Sequence, residues 1–344
     1  MPPSLPTAGP RPSSPSISAE MDRYRLIIRK SGGPEVIERE ELGALEPGTG
    51  EVLVRHEAIG LNFIDTYHRT GLYPLSLPSG LGSEAAGVVE AAGEGAGFAP
   101  GDRVAYALAP PGAYATHRLI AADRLVRLPD DVDAESAAAV MLKGCTAEML
   151  VERCARVQTG DWVLVHAAAG GVGSILVPWL KAVGARVIAH AGSAEKAEIA
   201  RALGADQALS CTFEELAAKV REMTGGAGVR SVFDGVGAAS WAASLASLGR
   251  RGLMVSYGNA SGPVPPFSPL ELSRRGSLFV TRPTLHDYVA TQSELQASAA
   301  RLFEMLRSGA VPVRIGARFP LADAAEAHRA LEARKTTGST LLIP

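Results

Sequence analysis

Cysteine is scarce in this chain, and long apolar runs are missing from it. The 344 residues include three cysteines, Cys145, Cys154 and Cys211. So few and so scattered, they exclude a disulfide framework and a site of four thiolates around a metal. We therefore expect a reducing compartment, the cytoplasm. No apolar run approaches the roughly 20 residues of a membrane-spanning helix, so we expect no membrane association.

An excess of charge of either sign is missing as well. The chain has 34 Lys and Arg against 36 Asp and Glu, a formal net charge of −2 and a pI near 6.4. This balance argues against a nucleic-acid partner or an anionic membrane surface. A hydrophobic content of 47% with 20% charged residues is typical of a globular protein with a large core. The length predicts two domains.

Residues 1–20 differ from the rest of the chain in composition. They hold six prolines and five serines and show almost no apolar periodicity. Such a segment cannot bury a core, so we predict disorder. It also lacks the apolar centre of a signal peptide and the Arg-rich pattern of a transit peptide. Met21 then opens the first predicted strand, Arg23–Arg29.

The remaining pattern divides the chain into a β-rich part and a part of alternating strands and helices. Residues 21–129 read as short strands separated by Gly and Pro, and βα units fill 161–282. The main predicted elements are the strands Glu51–Gly60, Ala85–Ala92 and Arg103–Ala107, the helices Ala134–Leu142, Thr146–Arg156, Asp287–Arg307 and Ala322–Ala333, and the strand Thr340–Ile343. We expect the last strand to return and complete the first domain.

A glycine-rich turn is the most informative motif. The apolar, β-branched run that begins at Val163 leads directly into Ala168-Ala-Gly-Gly-Val-Gly173, and a helical pattern follows. A strand, a glycine turn and a helix start together form a seat for a pyrophosphate, because helix amides point at the anion and glycines let it approach. We predict dinucleotide contacts at Gly170, Gly171, Val172 and Gly173. The alternative is that the glycines only build a tight connection.

The end of the second strand of this unit indicates which dinucleotide binds. The strand Ala185–Ala191 ends without the carboxylate that would bind a ribose 2′-hydroxyl. Gly192 leaves space, Ser193 offers a hydroxyl and Lys196 adds a positive charge one turn later. This favours a 2′-phosphate and therefore NADPH over NADH. The alternative is that Ser193 only caps a helix and that Lys196 lies on a solvated face.

Several longer runs carry a resemblance to a known family over residues 21–344. They are Gly60–Tyr67, Arg69–Tyr73, Gly80–Gly87, Leu142–Thr146, His166–Gly173, Arg251–Asn259 and Val280–Pro283. The chain resembles the medium-chain dehydrogenase/reductase superfamily and, within it, the quinone oxidoreductases related to zeta-crystallin. The resemblance implies an α/β protein. A GroES-like, mostly-β catalytic domain (21–144 and 284–344) would join a doubly wound, parallel Rossmann domain that binds NADPH (145–283).

The zinc ligands of the superfamily's alcohol dehydrogenases are missing. Asn62 stands at the position that resembles the early ligand position, and Ser83 stands at the position of the His ligand. The sequence has no cysteine cluster. We therefore predict that no metal takes part. Without a Lewis acid the acceptor must already be electron-poor, which favours a quinone or a conjugated enone whose oxyanion needs only hydrogen bonds.

The resemblance also implies the site residues. Asn62, Tyr67 and Tyr73 would line the nicotinamide and substrate end of the cleft and act in catalysis, with Asn62 and Tyr67 also touching the cofactor. The alternative is that both tyrosines are packing aromatics. Further cofactor contacts are implied at Lys143, Thr146, Tyr257, Gly258, Asn259 and Arg334, the last facing the 2′-phosphate unless it is a solvated surface residue. Cys211 stands where the family often has a Tyr near the adenosine phosphate, and Phe213 is a possible substitute.

Together these features predict an NADPH:quinone oxidoreductase. Two alternatives stay open: an NADPH-dependent reductase of α,β-unsaturated carbonyls, and a non-enzymatic NADPH-binding structural or RNA-binding protein. We also expect a homodimer. The apolar strand Leu278–Arg282 would otherwise leave an exposed sheet edge, and two-fold pairing would cover it.

Overall fold

The structure is a computed structural model and describes residues 23–344. The tail predicted over residues 1–20, and Met21, lie outside the described residues. The strands are β1 (Tyr24–Ile28), β2 (Ile37–Glu41), β3 (Glu51–Leu61), β4 (Ser79–Gly80), β5 (Glu84–Ala92), β6 (Arg103–Ala107), β7 (His117–Ala121), β8 (Val126–Arg127), β9 (Trp162–His166), β10 (Arg186–His190), β11 (Gln207–Leu209), β12 (Val229–Asp234), β13 (Leu248–Ser256), β14 (Phe279–Thr281), β15 (Ile315–Pro320) and β16 (Ser339–Ile343). The helices are α1 (Phe63–Thr70), α2 (Ala134–Glu148), α3 (Gly173–Ala182), α4 (Ala194–Ala202), α5 (Phe213–Met223), α6 (Trp241–Ser247), α7 (Leu270–Arg274), α8 (Leu285–Tyr288), α9 (Gln292–Arg307) and α10 (Ala324–Glu332).

Six strands within residues 162–281 form a parallel sheet. Its strands lie in the order β11-β10-β9-β12-β13-β14, and every neighbouring pair is parallel. This is the strand order of a doubly wound dinucleotide-binding fold. The order reverses between β9 and β12, and in such sheets ligands bind beyond the carboxyl ends of the strands at that reversal. The predicted Rossmann fold is confirmed, and the glycine turn follows β9 at this edge.

The β-rich part is a larger sheet that both ends of the described chain build. Its strands lie in the order β15-β16-β3-β5-β6-β8, β7 also pairs with β3, and a small sheet, β2-β1-β4, packs into the same hydrophobic core. β16 pairs antiparallel with β3, where Thr340 lies opposite Leu61. The terminal strand therefore returns to the first sheet, as predicted from its small size. Within residues 23–344 no helix is both long and apolar enough to cross a bilayer.

One helix packs between the larger sheet and α3, which itself lies on the parallel sheet. α2 contacts β3, β5, β6 and β16 on one side and α3 and α9 on the other. Apart from its first residues it is buried almost throughout, since Ala, Val, Met and Leu occupy positions 137–142. A polar side chain in the second half of α2 therefore lies in the interior at the junction of both sheets. The predicted domain limits near residues 144 and 283 stay a prediction.

The prediction of separate helices before and after Gly144 is wrong. α2 continues through Gly144 to Glu148, and a π-helical turn extends it to Cys154. A glycine usually weakens a helix, but here it serves packing. A Cβ at Gly144 would lie 2.4 Å from Leu302 Cδ1 of α9, so the glycine lets the two helices approach.

The prediction of one long helix over Asp287–Arg307 is also wrong. The segment is split into α8 and α9. Val289 is the C-cap of α8, and Thr291 caps α9: Glu294 N–H donates to Thr291 Oγ1, and Thr291 N–H donates to Glu294 Oε2. This reciprocal capping box starts a new helix and satisfies its first free amides.

Candidate active site

The glycine turn is built as a tight passage from β9 into α3. Ala167, directly after the strand, has a positive φ of 49°. A Cβ at Gly173 would lie 2.4 Å from Ala167 O, so no side chain fits there. Gly170 N–H donates to Ala167 O at 2.8 Å, which closes the turn. The amino end of α3 therefore points to the carboxyl edge of the sheet, and Gly171 and Val172 lie in the turn before it.

A buried ion pair lies against this turn. Lys143 of α2 is 3% exposed, and its Nζ donates to Oε1 of Glu84 at 2.6 Å, while Glu84 is 0% exposed. A Cβ at Gly171 would lie 3.1 Å from Lys143 Cε, so the lysine chain covers the glycine. Asn62 Nδ2 donates to the same Glu84 oxygen at 2.8 Å, and Leu142 N–H donates to the other at 2.6 Å.

Glu84 therefore brings together two residues that the sequence analysis predicted separately. Asn62 comes from the end of β3 and Lys143 from α2, and one carboxylate at the start of β5 holds both. Sequence reasoning missed Glu84 as a site residue. The available signal was a carboxylate that opens the apolar strand Glu84–Val89, because a buried charge needs a partner.

Asn62 and Ser83, which stand at positions resembling those of zinc ligands, both form hydrogen bonds with other side chains of the protein. Ser83 Oγ donates to Asp65 Oδ1 at 2.9 Å, and Tyr114 Oη donates to Asp65 Oδ2 at 3.0 Å. Burial raises the pKa of Asp65 to about 6. In the part of the chain that the structure describes, no three His, Cys, Asp or Glu side chains come together in a way that could hold a metal ion.

The two predicted tyrosines meet at the junction of the sheets. The rings of Tyr67 in α1 and Tyr73 in the following loop lie 5.2 Å apart in an edge-to-face arrangement. Asn259 N–H donates to Tyr67 Oη at 3.0 Å, and Arg282 Nη2 donates to Tyr73 Oη at 2.9 Å. Burial is the largest cause of a raised pKa of Tyr67, so its hydroxyl stays protonated at neutral pH.

Tyr257, Gly258 and Asn259 follow β13 and form the other wall of this junction. A Cβ at Gly258 would lie 2.5 Å from Gly235 O, so two backbones meet closely there. The ring of Tyr257 covers Gly235, and burial raises the pKa of its hydroxyl above the ordinary value. The structure thus places these three predicted residues beside Tyr67 and Tyr73.

The predicted 2′-phosphate residues lie together at a different place. Lys196 N–H donates to Ser193 Oγ at 3.2 Å, so Ser193 is the N-cap of α4. Lys196 Nζ donates to the backbone oxygen of Arg334 at 2.7 Å, which joins α4 to the segment after α10. A Cβ at Gly192 would meet nothing within 4 Å, and the side chain of Arg334 is exposed. The geometry combines a helix N-terminus, open space and two cations.

Thr146 and Phe213, two further predicted or possible ligand contacts, are engaged with other parts of the protein. Thr146 lies one turn after Lys143 on α2, and its hydroxyl donates to Leu142 O at 2.7 Å within the helix. Phe213, the possible substitute near Cys211, packs against His166 and His190 with centroid distances of 5.8 and 5.2 Å. Their contacts with a ligand stay predictions.

Comparisons with known proteins agree with this architecture. The family described as alcohol dehydrogenase GroES-like domain matches residues 48–130, and the family described as zinc-binding dehydrogenase matches residues 171–305. The chain is 51% identical over 322 residues to a quinone oxidoreductase of Pseudomonas aeruginosa, covering 93% of this chain and 99% of the relative. It is 43% identical to a 2-haloacrylate reductase of a Burkholderia species, covering 92% and 98%.

A solved structure is similar over nearly the same length. The Escherichia coli quinone oxidoreductase in complex with NADPH superposes with a TM-score of 0.90 at 45% identity, covering 93% of this chain and all of that one. The two-sheet fold and the glycine turn define a medium-chain dehydrogenase/reductase of the zinc-type alcohol dehydrogenase superfamily. Within that class, the chain belongs to the quinone oxidoreductase family.

Proposed function

We propose that this protein reduces quinones with NADPH by a hydride transfer that needs no metal ion. The observation that carries the proposal is the pair of tyrosines at the junction of the two sheets. Both hydroxyls accept a hydrogen bond from the opposite wall, and Asn62 and Lys143 are fixed nearby by Glu84. Such a site orients an electron-poor ring and donates to its oxygen.

The residues present fit NADPH. At the turn after β9, Gly173 lets the backbone pass tightly into α3 where a Cβ would collide with Ala167 O, and the free amides at the amino end of α3 would hold a pyrophosphate. Lys196 and Arg334 supply positive charge where Gly192 leaves open space. Bound NADPH supplies a hydride, and together with one proton from water this converts a quinone to a hydroquinone.

The chain's own residues orient the acceptor and stabilise the negative charge that develops on its oxygen. Tyr67 and Tyr73 donate hydrogen bonds to the acceptor oxygen on which negative charge develops. Asn62 is held at the start of α1 by Glu84, so its side chain keeps one position from which it would contact the cofactor. The charge of Lys143 is balanced by Glu84, and the lysine chain shapes the floor of the glycine turn.

An acceptor panel tests the proposal. NADPH oxidation would be followed with p-quinones, conjugated enones and enoyl thioesters at matched concentrations. We expect the highest kcat/KM with p-quinones and little reaction with simple ketones. Tight NADPH binding without reduction of any acceptor would instead support a non-enzymatic role.

Reduction of α,β-unsaturated carbonyl compounds is the second candidate. The 43% identity to a 2-haloacrylate reductase favours it, since a haloacrylate is an alkene conjugated with a carboxylate. The same two tyrosine donors would serve an enone oxygen. A kcat/KM for enones that exceeds the value for quinones would decide for this candidate.

We further propose a homodimer that forms through β14. This strand is the last in its sheet, and Phe279 is 60% exposed there. Pairing with β14 of a second copy would give the backbone N–H and C=O groups at this edge hydrogen-bond partners and cover the Phe279 ring. Sedimentation at micromolar concentration should give a dimer, and Phe279→Glu should shift it to a monomer. A monomeric wild-type protein would contradict the proposal.

We place the protein in the cytoplasm. Cys145, Cys154 and Cys211 are all free in the described structure, and burial raises the pKa of the Cys145 thiol to about 12. A buried, unreactive thiol suits a reducing compartment. Localisation of a tagged full-length chain by fractionation tests the placement.

A further inference from the structure

Arg282 connects the two walls of the cleft. It follows β14 at the carboxyl edge of the parallel sheet, and its Nη2 donates to Tyr73 Oη at 2.9 Å. Its Nη1 donates to Gly258 O at 3.1 Å and lies 3.4 Å from Ser256 Oγ. With the Asn259 amide oriented to satisfy both of its ends, Asn259 Oδ1 accepts a second bond from Nη2 at 3.1 Å.

These contacts use all four Nη hydrogens of the guanidinium. Three partners belong to the segment after β13 or to its last residue, and the fourth is Tyr73 from the other domain. A planar fork held at so many points has one orientation. The position of the Tyr73 hydroxyl is therefore fixed relative to the wall where Asn259 lies.

The direction of these bonds decides where the tyrosine protons point. A guanidinium has donors and no acceptor, so Tyr73 Oη must accept from Arg282. A backbone N–H likewise only donates, so Tyr67 Oη must accept from Asn259. With the Asn259 amide in the orientation given above, its Oδ1 also lies 3.4 Å from Tyr73 Oη, a long contact that an acceptor oxygen in the site would replace. Among residues 23–344 the Tyr67 hydroxyl donates to no protein acceptor, so its proton is free for a third group.

We propose that Arg282 is a positioning residue that acts through Tyr73. It occupies a lone pair of the Tyr73 hydroxyl, so that the O–H is directed at the acceptor oxygen. A hydrogen bond received from a cation also polarises the phenol, and polarised hydroxyls donate more strongly. This inference rests on the proposed function, because it needs an acceptor whose oxygen gains negative charge.

Two other roles make different predictions. If Arg282 only clasped the domains, its loss would lower the melting temperature and affect the reaction whether or not the Tyr73 hydroxyl is present. If it contacted the cofactor, its loss would raise the Kd for NADPH. Action through Tyr73 lowers kcat and depends on the hydroxyl.

A double-mutant cycle with Arg282→Ala and Tyr73→Phe tests the inference. Each single variant should lower kcat with a p-quinone by about tenfold, with the Kd for NADPH within twofold of wild type. The double variant should be within about twofold of Tyr73→Phe, because the residues act as one unit. Losses that multiply to about a hundredfold, unchanged turnover of Arg282→Ala, or a weaker Kd for NADPH would each overturn it.

Two more variants guard against a folding defect and a general charge effect. Arg282→Lys keeps the charge and one donor, so it should recover part of the turnover. If Arg282→Ala does not fold, the cycle is run with Arg282→Gln, which keeps a neutral donor and should give an intermediate kcat. Arg307→Ala is the matched control, since Arg307 also joins distant segments by pairing with Asp131 at 3.1 Å. We expect its kcat within twofold of wild type.

Comparing the loss of kcat in Arg282→Ala between two quinones adds a second test, because a residue that only packs would give the same loss with both. The loss in Arg282→Ala should increase from an electron-poor benzoquinone to a less electron-poor naphthoquinone, since the weaker acceptor depends more on the donor. An equal loss for both would contradict the inference. Absence of quinone reduction by the wild-type enzyme would instead overturn the proposed function itself.

Discussion

The two ends of the proposed site are built in different ways. The proposed phosphate end lies within residues 166–196 apart from Arg334, and it consists mainly of backbone groups and glycines. The proposed acceptor end takes Asn62, Tyr67 and Tyr73 from the first sheet's segments, Lys143 from α2, and Asn259 and Arg282 from segments that follow strands of the parallel sheet. There, side chains fix one another across long stretches of sequence.

This difference has an energetic consequence. A glycine turn tolerates changes nearby as long as its backbone keeps its path. A buried carboxylate and ammonium tolerate no loss of a partner, because the remaining charge stays in a medium that solvates it poorly. We therefore expect the acceptor end to govern stability as well as turnover, and the phosphate end to govern the choice of cofactor.

The largest effect is expected from Glu84→Ala. It leaves the Lys143 ammonium buried without its partner, and breaking such a pair costs about 3–5 kcal/mol. Urea unfolding at pH 7 measures the free energy of unfolding. As the matched control, Glu135→Ala removes an exposed carboxylate that pairs with Arg318 at 2.6 Å and should cost at most about 1 kcal/mol.

The double variant Glu84→Gln with Lys143→Met sharpens this prediction. It removes both charges at similar volume, so much of the lost stability should return. Equal unfolding free energies for Glu84→Ala and Glu135→Ala would show that losing one partner of the buried pair costs no more stability than losing one partner of an exposed pair.

The next largest effect is expected at the phosphate end. Lys196→Ala should raise the Kd for NADPH by one to two orders of magnitude, because a charge-assisted hydrogen bond contributes about 1.5–3 kcal/mol. The Kd for NADH should change little, since NADH has no 2′-phosphate. Fluorescence titration with both cofactors measures the ratio of the Kd for NADPH to the Kd for NADH in each variant.

Lys181→Ala provides the control for Lys196. Lys181 pairs with Asp206 at 2.7 Å and donates to Ala185 O before β10, at the opposite end of that strand from Ser193. Its loss should leave both Kd values unchanged. Equal losses for NADPH and NADH in Lys196→Ala would show that its bond to Arg334 O serves the fold and not the phosphate.

A smaller effect is expected for Tyr73→Phe. Removing one donor to a developing oxyanion can cost about a hundredfold in rate, but quinones are intrinsically reactive, so we expect about tenfold in kcat. The melting temperature and the Kd for NADPH should stay nearly unchanged. A variant that loses stability in step with activity would favour the packing role of the ring.

The smallest effect, none, is expected from chelation. Dialysis against a strong chelator should leave turnover unchanged, since Ser83 and Asn62 are engaged by Asp65 and Glu84. Elemental analysis of the dialysed and undialysed protein accompanies the assay. Stoichiometric zinc whose removal abolishes turnover would end the metal-free proposal.

Local patterns predicted much of the fold. Apolar runs and the glycine turn indicated β9 and α3, while the phosphate pocket that the missing acid after β10 indicates stays a prediction. The same reasoning was wrong at Gly144 and over Asp287–Arg307. In the first case packing against Leu302 outweighs the helix preference of glycine, and in the second a capping box at Thr291 divides one apolar pattern.

The sequence by itself determined that this chain has a dinucleotide-binding fold with a glycine turn after the first strand of its parallel sheet. Those features depend on residues close together in the chain, where periodicity and backbone preferences act. Only the tertiary structure decided that Glu84 holds both Asn62 and Lys143, and that Arg282 reaches Tyr73 across 209 positions. Such contacts depend on how two sheets meet around α2, and no local preference of any single residue encodes that meeting.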